Sequence, residues 1–477
     1  MRDDRQPIIA REEHKEEERF SNPLQRGFEK ILSPFQEFIR DETTASVLLL
    51  ICTVAALLIG NSTWSGVYHA FLNTPLGVIA GDVILEKSLH HWINEGFMAL
   101  FFFVIGLEIK RELLAGELQN SRLAYTVIAA AVGGMLVPAL IYAIFNGGTV
   151  SAHGWGIPLA TDTAFAVGVL ALLGRRVPLA LAAFLTALAI IDDIGAVLVI
   201  AIFYSDAISL SHLLLAAGLL GGLVVLNLLG VRHAVPYLLG GGMVWLVMLG
   251  SGVHATVAGI LVAFTVPARP RHGPFWFLGH VRRLMDRFES LERRKGQSGP
   301  VTASILARED QHAVVERIQE TAHEATTPLQ TWERTLESPV ALLVLPAFAL
   351  ANAAVPIPVS LESLPSLLSD PITLGIVLGL VVGKTVGITG FSWLALKSRL
   401  GDLPSEMNIK HVIGVGLLGG MGFTMSIFIA GLNFESSPEQ LSLAKSAILL
   451  ASLIAGLCGY VWLRTIASPR INGAQRS

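Results

Sequence analysis

Leu179–Phe203 reads LALAAFLTALAIIDDIGAVLVIAIF, an apolar run long enough to cross a bilayer that carries two adjacent aspartates, Asp192 and Asp193, and no basic residue to neutralise them. A carboxylate at mid-membrane costs about 2.5 to 3.5 kcal/mol even on lenient insertion scales. An unpaired couple therefore requires a cation, protons or a water-filled cavity beside it. The stretch implies that the chain spans a membrane and that its chemistry lies inside that membrane.

The rest of the sequence agrees. With 52% hydrophobic and 15% charged residues and a mean hydropathy of +0.61, the 477-residue chain falls outside the soluble globular class. Cys52 and Cys458 both lie in apolar segments, so neither a disulfide framework nor a metal-thiolate site is expected. The net charge of -3 sits mostly in loops and tails and gives no sign of a nucleic-acid partner. The first forty-four residues hold eight Lys or Arg mixed with acids and no short apolar core ahead of a cleavage site, so no signal peptide is expected. Within them, Asn22 to Arg40 spaces Leu24, Phe28, Ile31, Leu32, Phe35 and Phe38 like a helix lying on the membrane, or forms a solvated tail.

At roughly twenty apolar residues per span, the sequence divides into about twelve spans. They begin near Ala45, Trp92, Leu123, Trp155, Pro178, Ser209, Val235, Gly252, Pro339, Pro371, Val412 and Leu441. Lys and Arg concentrate in every second connection, among them Lys110, Arg111, Arg122, Arg175, Arg176, Arg232, Lys397, Arg399 and Lys410. By the positive-inside rule both termini are cytoplasmic and the span number is even. The expected organisation is an N-terminal cytoplasmic tail over 1–44, spans over 45–267, a cytoplasmic loop over 268–338, spans over 339–465 and a C-terminal tail over 466–477. The loop holds eleven basic residues and an acidic, helix-prone stretch from Ile305 to Ala325, and reads as a flexible segment capped by Pro328. On the outer side, PLGVIAGDVILEKS from Pro75 to Ser88 alternates around Gly81 and Asp82 like a small hairpin, with an ordinary loop as the alternative.

Two more charges lie at depth: Asp162, in PLATDTAFAVGVLALLG, and Lys384, in LGLVVGKTVGITGF. Asp162 follows Pro158 and Thr161 in a short, punctuated span. The eleventh span carries Gly414, Gly416, Gly419, Gly420 and Gly422, so both are expected to be interrupted near mid-membrane. Unwound backbone is tolerated there only when buried in protein or facing water, and the freed half-helix ends carry partial charges of both signs. Asp162 is placed to answer the N-terminal ends, and Lys384 the C-terminal ends as well as an aspartate. Breaks in spans four and eleven occupy the middle of two three-span units, three to five and ten to twelve, which predicts an inverted repeat with its site at the interface. Gly375, Gly379 and Gly383 are four apart and predict a helix-packing ridge. His254 reads either as a hydrogen-bonded core histidine or as a pH-responsive group. Glu95 and Glu108 are near the ends of the second span and can be simply interfacial.

Other chemistries fit less well. A retinal-bearing lysine belongs to seven spans, not about twelve. An intramembrane aspartyl protease places its two acids on separate spans facing one water, whereas here they are adjacent and no Gly-x-Gly-Asp string is present. A cation channel or a sodium-coupled symporter uses similar acids; a symporter also needs an organic-substrate pocket.

At these residues the chain resembles the NhaA family of sodium/proton antiporters. The resemblance covers about Glu42 to Arg464 and rests on HWINEGFMALFFFVIGLEIKREL, GWGIPLATDTAFAVGVLALLG, TALAIIDDIGAVLVIAIFY, GVHATVAGILV, LPAFALANAAV, VVGKTVGI and GGMGFTMSIFIAGL, in that order. It implies an all-α polytopic inner-membrane protein of about twelve helices, not an enzyme, that exchanges cytoplasmic sodium or lithium for external protons without a cofactor. In the resemblance, Asp193 is the principal sodium ligand, Asp192 alternates between a proton, sodium and the Lys384 ammonium, Asp162 and Lys384 compensate the half-helices, and Thr161 adds an oxygen. Oxygen ligands of this kind suit hard ions. The resemblance further implies that the exchange is electrogenic and serves pH and sodium homeostasis. Glu108, Arg111 and Glu112 match the second-span part of a charged pH-regulating cluster. The ninth-span part departs from the family pattern: Glu333 and Glu337 stand near it, but the family's histidines are missing before Pro339. The outer hairpin, Thr74 to Lys87, resembles the family's dimer contact, so a homodimer surrounded by membrane lipid is expected.

Overall fold

The computed structural model describes residues 42–80, 83–115, 121–205, 208–295, 302–356 and 369–466. The stretch Asn22 to Arg40, read as a membrane-surface helix or a solvated tail, and Gly81 and Asp82 of the expected hairpin lie outside these residues. The chain opens with α1 (Glu42–Gly60) and α2 (Ser65–Leu72), bent from one another by 116°. β1 (Pro75–Ala80) and β2 (Val83–Ser88) then pair antiparallel, from Pro75 opposite Ser88 to Ala80 opposite Val83, so the expected hairpin forms. Trp92 Nε1 donates to the Leu76 carbonyl at 2.9 Å and ties the hairpin to α3 (Leu89–Ala115).

Continuous and interrupted helices follow. α4 (Ser121–Asn146) is unbroken. The fourth span consists of a 3-10 helix, Val150–Leu159, and α5 (Thr163–Leu173), which meet at 41°. Next come α6 (Leu179–Phe203), α7 (Leu210–Leu228), α8 (Ala234–Met248) and α9 (Val257–Thr265). The long loop contains α10 (Pro274–Lys295) and α11 (Thr302–Ala325), and α12 (Pro328–Asn352), α13 (Pro371–Lys397), α14 (Ile409–Gly419), α15 (Phe423–Asn433) and α16 (Pro438–Ile466) complete the described chain. α14 and α15 form the second broken span, bent by 45°.

The fold is thus an all-α, polytopic membrane protein with one small hairpin. Among the described residues, seven helices are long and apolar enough to cross a bilayer, and up to ten if each bent pair counts once. The two further elements that the sequence division counts as spans are short, fifteen residues in α8 and nine in α9. Leu214, Leu228 and Leu238 are exposed on the outer faces of α7 and α8, as expected for side chains whose solvent is lipid.

Two differences from the sequence reading have physical causes. α12 begins at Pro328 rather than near Pro339, because a polar first half is still a good helix and Thr327 caps it, its hydroxyl accepting from Gln330 N at 3.2 Å. Pro339 stays inside the helix, and a wide π turn over Val340–Val344 follows it, the kind of local adjustment that absorbs a proline within a helix. The 268–338 loop, expected to be flexible, contains a pair of packed helices, α10 and α11. The acidic stretch is helical as its composition predicts. The basic, amphipathic α10 was not expected.

The glycine ridge forms and extends one turn further. A Cβ on Gly383 would lie 2.9 Å from Pro138 Cα on α4, one on Gly379 3.0 Å from Pro158 Cβ, and one on Gly387 2.1 Å from the Gly133 carbonyl oxygen. α4 and α13 therefore touch backbone to backbone, the close approach that small residues permit between membrane helices.

Candidate functional site

Each broken span ends its first half inside the protein, and the two breaks meet. Asp162 N donates to the Met421 carbonyl at 2.6 Å, and Ser426 Oγ donates to the Ile157 carbonyl at 2.7 Å, so backbone groups freed by one interruption are satisfied by the other. Asp162 is the N-cap of α5, where Oδ1 accepts from Phe165 N at 3.1 Å. Its Oδ2 accepts from Thr424 N at 2.9 Å and Thr424 Oγ1 at 2.5 Å, in the first turn of α15. One carboxylate thus faces the N-terminal ends of both second half-helices, where helix dipoles favour negative charge. This is the placement expected for Asp162.

Asp192 and Asp193 come to the crossing from α6, both buried. Lys384, fully buried on α13 immediately after a π turn over Gly379–Gly383, forms an ion pair with Asp192 Oδ2. The Thr161 hydroxyl lies 2.8 Å from the same oxygen and 2.9 Å from the Gly419 carbonyl at the end of α14, and its single proton serves one acceptor at a time. The expectation for Lys384 was broader than its contacts: it pairs with the aspartate, while the C-terminal end at Gly419 is answered by Thr161. Asp192 Oδ1 and Asp193 Oδ1 are buried with no hydrogen-bond partner among the described residues. Of the four charges here, Asp162 is satisfied by donors and dipoles and Asp192 by an ammonium. Asp193 is the carboxylate left over.

Thr424 was not singled out in the sequence. Its signal is present: it follows the glycine run by two residues, at the start of a half-helix, where a hydroxyl is well placed to bond an acid.

A second polar cluster lies toward the basic ends of α3 and α12. Arg111 Nε donates to Glu333 Oε1 at 2.8 Å, and Arg111 Nη1 lies 3.5 Å from Glu112 Oε2. A cavity of about 310 Å³ opens here, lined by Val104, Glu108, Arg111, Glu333, Arg334 and Glu337 among others. Five of the six regulatory candidates, Glu108, Arg111, Glu112, Glu333 and Glu337, therefore meet. The sixth, His254, does not: it lies in the turn ahead of α9, whose first turn packs at Gly259 against Ala99 and Phe103 of α3, whereas the cluster lies toward the opposite end of that contact, where Lys110 Nζ donates to the Phe264 carbonyl at 2.6 Å.

Comparison with known proteins gives consistent results. The family model described as Na+/H+ antiporter 1 matches residues 36–463. The Na(+)/H(+) antiporter NhaA 1 of Saccharophagus degradans is 46% identical over 452 residues, which cover 94% of this chain and 96% of that one. The Na(+)/H(+) antiporter NhaA of Sulfurimonas denitrificans is 46% identical over 445 residues, 93% of this chain and 98% of its own. A third relative of that name, from Oleidesulfovibrio alaskensis, is 46% identical over 442 residues, with 93% and 96% covered.

Proposed function

The chain belongs to the Na+/H+ antiporter 1 family, and from that premise we propose that it exchanges cytoplasmic sodium or lithium for external protons at the Asp192–Asp193 pair. The observation that carries the reading is the surplus carboxylate: Asp193 presents a buried, unpartnered oxygen beside an aspartate already engaged by Lys384 and Thr161.

The mechanism is competition. Two adjacent carboxylates out of water disfavour the doubly charged empty state, so the pair holds protons or a cation, and each excludes the other. A sodium ion held by Asp193 and Asp192, with Thr161 and backbone carbonyls as further oxygens, displaces Lys384 from Asp192. The proton on Asp193 and the proton released as Lys384 loses its counter-charge then both leave for one sodium. The exchange is electrogenic for that reason. Alternating access carries the site between the two sides, and a rule that the empty charged site does not cross couples the flows.

The cavity at Glu108, Arg111 and Glu333 is the cytoplasmic approach to this site, and its charges set the pH at which exchange begins. Both termini and the α10–α11 loop lie on that side, in a bacterial inner membrane, and exchange there serves sodium and pH homeostasis. The β1–β2 hairpin joins two copies on the outer side.

The test is sodium-induced proton flux in everted vesicles across a pH series, wild type beside Asp193→Asn. Shared-site antiport requires a sodium- and lithium-dependent signal whose apparent sodium affinity falls as protons are added, and a silent variant. Sodium uptake that needs an organic co-substrate and moves no protons would replace antiport with symport.

A further inference from the structure

We propose that α10 is a docking surface for anionic lipid headgroups, holding the α10–α11 hairpin to the membrane face beside the Arg111–Glu333 cavity. The inference rests on the multi-span architecture alone and is independent of which ions the crossing carries.

α10 has two different apolar stripes. Phe277, Val281, Leu284 and Phe288 are half-buried at three- and four-residue spacing, the stripe expected of a helix that packs on α11. Trp276 belongs to the inward side as well, stacked between His272 and His280 with ring centroids 3.7 and 4.3 Å away. Phe275, Leu278 and Met285 form a second stripe facing out, with Phe275 90% exposed. A soluble helix has no reason to present such a row to water.

The charges beside that row select its occupant. Arg282, Arg283 and Arg287 are all exposed on the same three turns, against one acid, Asp286. Apolar residues interleaved with arginines are the pattern of a helix lying in a headgroup layer, with aromatic and aliphatic side chains at the acyl boundary and guanidinium groups on phosphates.

Position supplies the remaining argument, because α10 starts at the edge of the bundle and is held there. Lys110 Nζ donates to the Phe264 and Val266 carbonyls, and Asn227 Nδ2 donates to the Thr265 carbonyl at 2.7 Å, fixing the end of α9. Leu329 N donates to the Pro267 carbonyl at 3.1 Å, which joins that end to the start of α12. The base of the hairpin is then closed by Arg271, whose N donates to the Glu324 carbonyl at 3.2 Å and whose Nη1 lies 3.1 Å from Glu324 Oε1. Phe275 follows this clamp by four residues, so the exposed stripe begins at the level where spans end.

The experiment uses the full chain with Cys52→Ser and Cys458→Ser, a spin label on Leu278→Cys, and a reference label on Leu453→Cys, an exposed position of α16. The protein is reconstituted in phosphatidylcholine vesicles with and without phosphatidylglycerol, and collision rates with oxygen and with a water-soluble nickel chelate are compared. The expected result is an oxygen-to-nickel ratio at position 278 that rises severalfold with phosphatidylglycerol and returns to the aqueous value when Arg282→Gln, Arg283→Gln and Arg287→Gln are combined. The position-453 label stays lipid-like throughout. An aqueous position 278 in both compositions overturns the proposal, as does a lipid-like ratio in phosphatidylcholine alone, which removes the headgroup requirement. A label shielded from both reagents in both lipids overturns it in favour of a protein partner or a second copy. An aqueous position 453 would instead refute the span itself.

Discussion

Two of the molecule's ion pairs are built from the same kinds of groups but lie in opposite settings. Lys384 and Asp192 are both fully buried, with Thr161 on the same carboxylate oxygen. Arg111 and Glu333 have side chains 34% and 12% exposed, at the mouth of a cavity. Solvent screens the second pair, so losing a partner there costs about 0 to 1 kcal/mol. Removing one member of the first leaves an uncompensated charge in a medium that cannot solvate it, a loss of about 3 to 5 kcal/mol. The same chemistry thus makes the deep pair costly to break unless another cation replaces the ammonium, and the shallow one adjustable, the division expected between the proposed transport site and a device that tunes it.

The sharpest break of this contrast is Lys384→Ala, expected to lower stability by about 3 to 5 kcal/mol in thermal unfolding in detergent, as well as to stop exchange. Adding Asp192→Asn to it should recover most of the stability; a double variant as unstable as the single would show that charge pairing is not the cause. Thr424→Val removes one donor to a charged Asp162 and is expected to cost about 1 to 3 kcal/mol, with Thr424→Ser close to wild type. Asp193→Asn should leave the melting temperature unchanged or raised, since no partner is lost, while the proton flux falls to background. Glu333→Gln is expected to change stability by less than about 1 kcal/mol and to shift the pH profile of exchange without abolishing it; loss of exchange at every pH would show that this carboxylate is required for transport itself rather than for tuning it. Deleting Thr74 to Lys87 should weaken a dimer in detergent cross-linking and leave flux per protomer nearly intact, and a deletion variant that stays fully dimeric would refute the hairpin contact.

The centre of the fold was readable because it is expensive. Charges at 162, 192, 193 and 384 stand out in apolar runs, and Pro158 and the glycines from Gly414 to Gly422 mark where helices must open. What those groups bond to was less readable. Asp162 found the helix N-termini as expected, but Gly419 took Thr161 rather than Lys384, since hydrophobic pattern fixes depth and not rotation about a helix axis. Lys445 was overlooked because it lies near a span end, where a lysine ordinarily extends to water. In the structure its Nζ donates to Asn352 Oδ1 at 3.3 Å, within a network that includes His90 and Asn94. The start of α12 and the helicity of α10 were hidden for the same reason: both are polar enough to pass for loop when only span-length apolar runs are counted.

The seam between Gly133 and Gly387 bears on which parts of the protein move as one. Two backbones in contact have no side-chain layer to shear, so α4 and α13 travel as a single strut, carrying Lys384 with them. A covalent staple between those two helices should be invisible to the turnover cycle. One that joins α13 to α6, across the lysine-aspartate contact that the proposed exchange opens, should bring it to a halt.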